Sequence, residues 1–214
     1  MSYFDFGEIL AYLLEKLRSP SLRPDETSLL VQMCTSLVPS VHDKNLHYNG
    51  HGLLTSSLVG DKTGKVACEL VRHFADVNLH DKRNGNTPLH IATCAGDFPM
   101  AEFLLENGAD VNATCDRGCT ALHDAYSEEM IDLLITQGAK VDAQNNEGDT
   151  PLHFSVECED FDTVEPLLRN NARTDIWNKG GKTALDIAQK FCCPEMVELL
   201  ESYSPNNAKR RRVT

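Results

Sequence analysis

The sequence is poor in aromatic and in basic residues. Aromatic residues make up only 7% of the 214 positions, with a single Trp, and 20 Lys and Arg stand against 32 Asp and Glu, giving a formal charge of -12. Residues 204–214 hold four of the basic residues and no acidic one, so the other 203 residues carry -16. Such an acidic body repels phosphate, which argues against nucleic acid and anionic membranes as partners. It favours a protein partner with a basic surface.

Long apolar runs and catalytic motifs are absent as well. No apolar run approaches 18 residues, so the sequence predicts no membrane span. Residues 1–15 contain three acidic residues and no Lys or Arg, and we therefore expect no secretory signal peptide. The eight Cys are scattered along the chain, as thiols are in a reducing compartment. No phosphate loop, serine-hydrolase elbow or His-Glu zinc motif is present, so the sequence predicts neither an enzyme nor a cofactor.

One short pattern recurs along most of the chain. It reads Gly-x-Thr-Pro-Leu-His or a close variant, and its threonines are Thr87, Thr120, Thr150 and Thr183, which lie 33, 30 and 33 residues apart. A second pattern, Leu-Leu followed by Gly-Ala or Asn-Ala, keeps the same register at 104–109, 133–139 and 167–172. The Thr can cap a helix, the Pro fits the first helical turn and the Gly suits a left-handed turn.

This pattern resembles the ankyrin repeat, whose mark is a Thr-Pro-Leu-His box every 33 residues. The resemblance covers residues 46–203 and implies an all-α solenoid of about five units, each a helix, a turn, a second helix and a hairpin finger. The first unit is degenerate, and the third lacks three residues, which we place at the end of its first helix. The first finger, before Gly85, is one residue longer than the second. Pro166 falls inside the second helix of the fourth unit and predicts a mild kink rather than a break.

The segments on either side of the repeats differ in character. Two apolar stripes in residues 1–45 predict two antiparallel helices. One interpretation is a helical hairpin that caps the open end of the solenoid, and the other is a partner-docking or dimerising element. Residues 204–214 predict a flexible tail. Its basic run consists of Lys209, Arg210, Arg211 and Arg212. The run resembles the nuclear import signal that importin-α reads, which implies location in the nucleus and cytoplasm; the alternative is a solubilising or weakly phosphate-contacting tail.

Histidines and cysteines invite the hypothesis of a metal site. His90, His123 and His153 occupy the same box position in successive units, so they would lie roughly 10 Å apart in a stack, too far for one ion. In ankyrin repeats this His bonds neighbouring backbone, and we expect that structural role here. Cys115 and Cys119 lack a matching second pair, so the sequence predicts no metal site.

The fingertips are the candidate partner-binding surface, because stacking does not need them. Trp177 is the single Trp and lies on the fourth finger, where an exposed aromatic side chain would be a binding hot spot. The alternative is that it packs on the adjacent finger. The other candidate contacts are Ile176, His80, Lys82, Arg83, Asp116, Arg117, Gln144 and Asn145.

Two further features admit a functional and a structural interpretation. The acidic cluster of residues 157–165 is either a solvated surface or a docking patch for a basic partner. Asn112, in an Asp-Val-Asn step, resembles the site at which an asparaginyl hydroxylase modifies ankyrin repeats; the same sequence also serves the hairpin alone.

The resemblance implies a non-catalytic protein–protein interaction module, an adaptor or inhibitor that binds through the concave face and the fingers. Ankyrin-type inhibitors of cyclin-dependent kinases also carry one shortened first helix, but nearer the N-terminus and without a helical extension. Regulators of the inhibitory-κB type are also acidic and mask basic import segments, but no phosphorylation degron is visible here. A substrate receptor or regulatory subunit could dock through residues 1–45, and a chromatin-associated protein could use the basic tail.

Overall fold

A computed structural model describes residues 6–19, 22–41, 43, 47–48, 51–60, 63–73, 75–191 and 193–204. The regular secondary structure of these residues is helical except for a short antiparallel pairing of β1 (His47–Tyr48) with β2 (His51–Gly52). The chain forms two compact units. The first comprises residues 1–92 and 99–110, and the second comprises residues 93–98 and 111–214.

The first unit contains both predicted N-terminal helices. They are α1 (Phe6–Leu17) and α2 (Pro24–Leu37), followed by a 3-10 turn at Val38–Ser40. Pro24 stands in the first turn of α2, and the Arg23 N–H donates to the Glu26 carboxylate at 3.1 Å, which satisfies one of the free amides of the helix start.

These two helices pack against the degenerate first repeat. That repeat consists of α3 (Leu53–Gly60) and α4 (Lys65–Arg72), which contact each other. Helix α1 packs on α2 and α3, and α2 packs on α4, with Leu10 and Leu14 fully buried. These contacts are those that a capping helix pair requires. A docking role for residues 1–45 stays a prediction.

The second repeat contributes α5 (Pro88–Cys94) and α6 (Phe98–Glu106). Five helices and one short turn follow in the second unit. They are a 3-10 turn at Ala121–Asp124, α7 (Glu128–Thr136), α8 (Pro151–Glu157), α9 (Phe161–Arg169), α10 (Ala184–Lys190) and α11 (Pro194–Tyr203).

The second unit is built from two parallel rows of helices. In one row, α8 packs on the 3-10 turn and on α10; in the other, α9 packs on α7 and on α11. The rows join through the pairs α8 with α9 and α10 with α11. Leu134, Leu152 and Leu167 are at most 1% exposed in this core. No single repeat could bury these side chains alone, so stacking stabilises the unit.

The shortened repeat has lost most of its first helix. Where the neighbouring repeats have seven-residue helices, the third has only the four-residue 3-10 turn, which confirms the predicted position of the missing residues. Pro166 does not break its helix, because α9 continues through it to Arg169, and the predicted mild kink stays a prediction.

Candidate functional site: the finger surface

The three fingers of the second unit close in the same way. In each, a backbone N–H donates across the finger over four residues, and a glycine with a positive φ lies immediately before the acceptor residue. The closing bonds run from Cys115 to Cys119, from Asn145 to Asp149 and from Asn178 to Lys182, each at 2.9 Å. The repeated geometry gives each finger one rigid end at which side chains can project.

Successive fingers are also bonded to each other. The Asn146 N–H donates to the Arg117 carbonyl at 2.9 Å, and the Lys179 N–H donates to the Glu147 carbonyl at 2.8 Å. The Gln144 amide donates to the Trp177 carbonyl at 3.2 Å. The three fingers of this unit therefore form one hydrogen-bonded row.

Trp177 stands out from this row. Its side chain is 63% exposed, the largest exposed fraction among the large apolar residues that the structure describes. Since its carbonyl is held by Gln144, an apolar ring projects into solvent from a fixed backbone. Neighbouring Ile176 is half-buried. This exposure disfavours the alternative in which Trp177 packs on the adjacent finger.

The other predicted contact residues of the second unit differ in exposure and in whether their side chains already form hydrogen bonds within the fingers. Asp116, Arg117 and Gln144 are exposed, but the amide nitrogen of Gln144 already donates to the carbonyls of Gly148 and Trp177. Asn145 is half-buried, and its Oδ1 accepts from the N–H groups of Glu147 and Asp149 at 2.8 and 2.9 Å. We define Asp116, Arg117, Gln144 and Trp177 as the finger surface. A role for Asn145 in binding stays a prediction, and its visible role is to shape the finger.

The first unit carries its own finger. Its closing bond runs from the Asp81 N–H to the Asn86 carbonyl over five residues at 2.8 Å, which confirms the predicted extra residue. His80, Lys82 and Arg83 are exposed there. The His80 ring donates from Nδ1 to the Gly85 carbonyl at 2.9 Å, so part of its hydrogen-bonding capacity serves the finger.

The histidines of the Thr-Pro-Leu-His box form hydrogen bonds with backbone groups. The Nδ1 atoms of His123 and His153 accept from the N–H groups of Thr120 and Thr150 at 3.1 and 3.2 Å. Their Nε2 atoms donate to carbonyls of the following finger, at Asp149 (3.1 Å) and Lys182 (3.3 Å). These two rings join one repeat to the next, which confirms the structural role expected of them.

Comparison with known proteins agrees with this geometry. A family model described as ankyrin repeats (3 copies) matches residues 58–145 and 126–210. The chain belongs to the ankyrin-repeat family. It is 39% identical over 134 residues to the rat ankyrin repeat domain-containing protein 46, covering 62% of this chain and 59% of the rat protein. It is 42% identical over 134 residues to the zebrafish protein of the same name, with the same coverage. The chain thus matches about three fifths of these relatives' length.

A shorter match falls in a protein of another kind. Over 65 residues, or 29% of this chain, it is 42% identical to the transient receptor potential channel pyrexia of Drosophila melanogaster, of which it covers 7%. The ankyrin repeat is thus shared with proteins of very different size. Ankyrin repeats generally mediate protein–protein interaction.

The last ankyrin box departs from the others in one residue. Asp186 replaces the His, and one of its oxygens accepts from both the N–H and the hydroxyl of Thr183 at 2.8 Å. The backbone bond first and the hydroxyl bond second lower the pKa of this carboxyl below its usual 3.8. Asp186 thus caps α10, as His153 caps α8, through a different acceptor.

Asn112 ties its own finger to the next repeat. Its Nδ2 donates to the Gly138 carbonyl at 3.0 Å, and its Oδ1 accepts from the Lys140 N–H at 2.9 Å. Asn78 makes the same pair of bonds in the first unit, with Gly108 and Asp110. The geometry shows a hairpin role for Asn112, and hydroxylation there stays a prediction.

The thiols and the tail complete the set of predicted features. The described cysteines are all free, and burial raises the pKa of Cys119. Within the described ranges no three His, Cys, Asp or Glu side chains are grouped as a metal would require, and no helix is long and apolar enough to cross a membrane. Lys209, Arg210, Arg211 and Arg212 lie outside the described residues.

A groove of about 360 Å³ lies between α7 and α9, and the repeat pattern did not predict it. Tyr126 and Phe161 line it, together with carboxylates of both helices. Only Asp162 and Glu165 of the predicted acidic cluster belong to it; Asp160 instead caps α9 by accepting from the Asp162 N–H at 3.0 Å. The sequence signal that could have indicated this groove is an aromatic residue beside the turn between two helices.

Proposed function

We propose that this ankyrin-repeat protein is a non-catalytic adaptor or inhibitor that binds a partner protein through the finger surface. The observation that carries the proposal is the 63% exposure of Trp177 on a backbone that its neighbours hold in place. A rigid aromatic anchor loses little conformational entropy on binding and removes a large apolar area from water.

The surroundings of Trp177 support the same proposal. Asp116, Arg117 and Gln144 supply charged and polar groups in the same row of fingers. Interfaces commonly combine an aromatic centre with a polar rim of this kind. Since ankyrin repeats generally mediate protein–protein interaction, the partner is a protein, and the acidic composition favours one with a basic surface.

Affinity capture with a matched control tests the proposal. The full chain, Trp177→Ala and Phe191→Ala serve as baits, and the captured proteins are quantified by mass spectrometry. Phe191 is also an exposed aromatic residue, 39% exposed, but it follows α10 at the far end of a helix from the fingers. We expect Trp177→Ala alone to lose specific partners. Equal capture by all three baits contradicts a role for the finger surface.

A kinase or transcription-factor inhibitor is the second candidate function. The reduction of the first helix of one repeat to a 3-10 turn favours a kinase inhibitor. The charge of -12 favours a transcription-factor inhibitor. The identity of a partner that Trp177→Ala no longer captures decides between the two functions. Loss of a kinase supports a kinase inhibitor, and loss of a protein with a basic import segment supports a transcription-factor inhibitor.

The basic tail is a separate proposal. We propose that Lys209, Arg210 and Arg211 promote import through importin-α, so that the protein is found in nucleus and cytoplasm. Replacing the three by Ala in a fusion too bulky to diffuse through nuclear pores should shift the fusion to the cytoplasm. An unchanged nuclear fraction contradicts this. Chromatin binding through the tail would instead weaken steeply as salt rises.

Modification of Asn112 is proposed on the family resemblance. Exposure of the full chain to an asparaginyl hydroxylase should add one oxygen to the peptide containing Asn112, as seen by mass spectrometry. Asn112→Ala is the matched control. A peptide mass that stays unchanged in the wild-type chain contradicts the proposal.

A further inference from the structure

The groove between α7 and α9 exposes aromatic surface. The side chains of Tyr126 and Phe161 are 58% and 40% exposed, and both line the groove beside buried Pro166. Tyr126 precedes α7 by two residues, and Phe161 begins α9. Two partly exposed rings in one small concavity are unusual in a chain in which only 7% of residues are aromatic.

The rim of the same groove is acidic. Four carboxylates line it, from Glu128, Glu129, Asp162 and Glu165. Among the described residues that line the groove, the single cation is Arg169, and its guanidinium is bonded to Glu128 at 2.6 Å. In the part of the chain that the structure describes, Glu129, Asp162 and Glu165 have no ion-pair partner within 4.0 Å.

We propose that this groove docks an extended, arginine-containing segment of a partner protein. The planar guanidinium of Arg can stack on an aromatic ring while its N–H groups bond a carboxylate, and the groove offers both kinds of group side by side. Lys presents a compact, strongly hydrated charge and can use the carboxylates but stacks less well. The carboxylates repel phosphate, which disfavours a nucleic-acid occupant.

The groove is distinct from the finger surface of the same unit. Its lining runs along α9 from Phe161 to Arg169 and shares no residue with the finger surface, whose nearest member in sequence, Trp177, lies beyond the end of that helix. One partner segment can therefore occupy the groove while the fingers bind elsewhere. The inference rests on the proposed function only in treating the chain as a protein-binding module.

Peptide titration against the full chain tests the groove. The probes are two fluorescent twelve-residue peptides with Arg or Lys at every third position and Gly and Ser between, at near-physiological salt. We expect the Arg peptide to bind several-fold more tightly than the Lys peptide, and Tyr126→Ala or Phe161→Ala to weaken the Arg peptide by about tenfold. Equal affinity of the two peptides, or no effect of either ring substitution, overturns the proposal.

A charge-matched pair of variants separates the groove from general attraction. The double variant Glu129→Gln, Glu165→Gln removes two exposed carboxylates of the groove, and Glu195→Gln, Glu198→Gln removes two exposed carboxylates of α11. Only the first should weaken binding. An equal loss of peptide affinity in both double variants shows that net charge alone attracts the peptide, and it overturns the proposal that the groove is the docking site.

Two further variants test which segment occupies the groove. Trp177→Ala should leave peptide affinity unchanged. A failure of the finger surface to capture partners can therefore be distinguished from a failure of the groove to bind the Arg peptide. Replacing the four basic tail residues by Ala in the full chain should also leave peptide affinity unchanged. A marked gain in affinity shows that the chain's own tail occupies the groove, and it overturns the assignment to a partner.

Discussion

Trp177 and Leu134 represent opposite extremes of burial in the same unit, at 63% and 0% exposure. Trp177→Ala should lower the free energy of unfolding by about 1 kcal/mol or less, because it removes little buried surface. Leu134→Ala should cost about 2–5 kcal/mol, because it leaves a cavity between repeats. Urea unfolding followed by circular dichroism measures both. If the two substitutions destabilise the fold equally, Trp177 belongs to the core and not to a binding surface.

A single carboxylate in the last box makes stability depend on pH. Asp186 has a lowered pKa in the folded state because the Thr183 N–H, and secondly its hydroxyl, bond the ionised form. Its contribution is therefore complete above the unfolded value near 3.8 and is lost as the pH falls through the lower folded value. Asp186→Asn should be less stable than wild type at pH 7, and the difference should shrink on acidification.

Urea unfolding of both proteins across that pH range measures this effect. Because Asp186 is exposed to solvent, the difference at neutral pH is expected to be small. A difference that stays constant down to strong acid would show that the charge of Asp186 contributes nothing.

At the scale of the elements, close contact between fingers constrains the turn glycines. A Cβ on Gly148 would lie 2.9 Å from the Lys179 nitrogen and 3.2 Å from the Asn178 Cα, whereas one on Gly181 would meet nothing within 4 Å. Both residues have positive φ, 79° and 68°, so Ala strains both to a similar extent. Thermal unfolding should show Gly148→Ala about 1–2 kcal/mol less stable than Gly181→Ala. Equal destabilisation would mean that the fingers do not pack as closely as described.

The element boundaries that could be predicted from sequence are those with a local chemical signal. The Thr caps, the turn glycines and the 30-residue interval each concern residues near one another in the chain. They predicted the helix starts, the fingers and the shortened helix. Trp177 was found in the same way, because its register in the repeat places it on a fingertip.

Features that depend on packing between elements could not be predicted in this way. Tyr126 and Phe161 come together only because α7 packs against α9. The bond between the Gln144 amide and the Trp177 carbonyl also joins neighbouring repeats. Pairing of β1 with β2 involves two residues on each side, too few for a detectable alternation of polar and apolar positions.

At the scale of the whole molecule, the charge of -12 has a measurable consequence. An acidic body should attract a basic partner and accelerate encounter, and salt should screen this attraction. Stopped-flow measurement of a captured partner should show the association rate constant falling as salt rises, while the dissociation rate constant changes less. An association rate that does not respond to salt would show that the partner is not recognised by charge.

Calorimetric titration of a captured partner into wild-type protein and Trp177→Ala tests binding through the finger surface most directly. We expect Trp177→Ala to lose about 2 kcal/mol of binding free energy, or roughly thirtyfold in Kd, as for an aromatic anchor buried in an interface. Phe191→Ala should bind like wild type. Unchanged affinity of a correctly folded Trp177→Ala protein would contradict the account and place the partner elsewhere on the molecule.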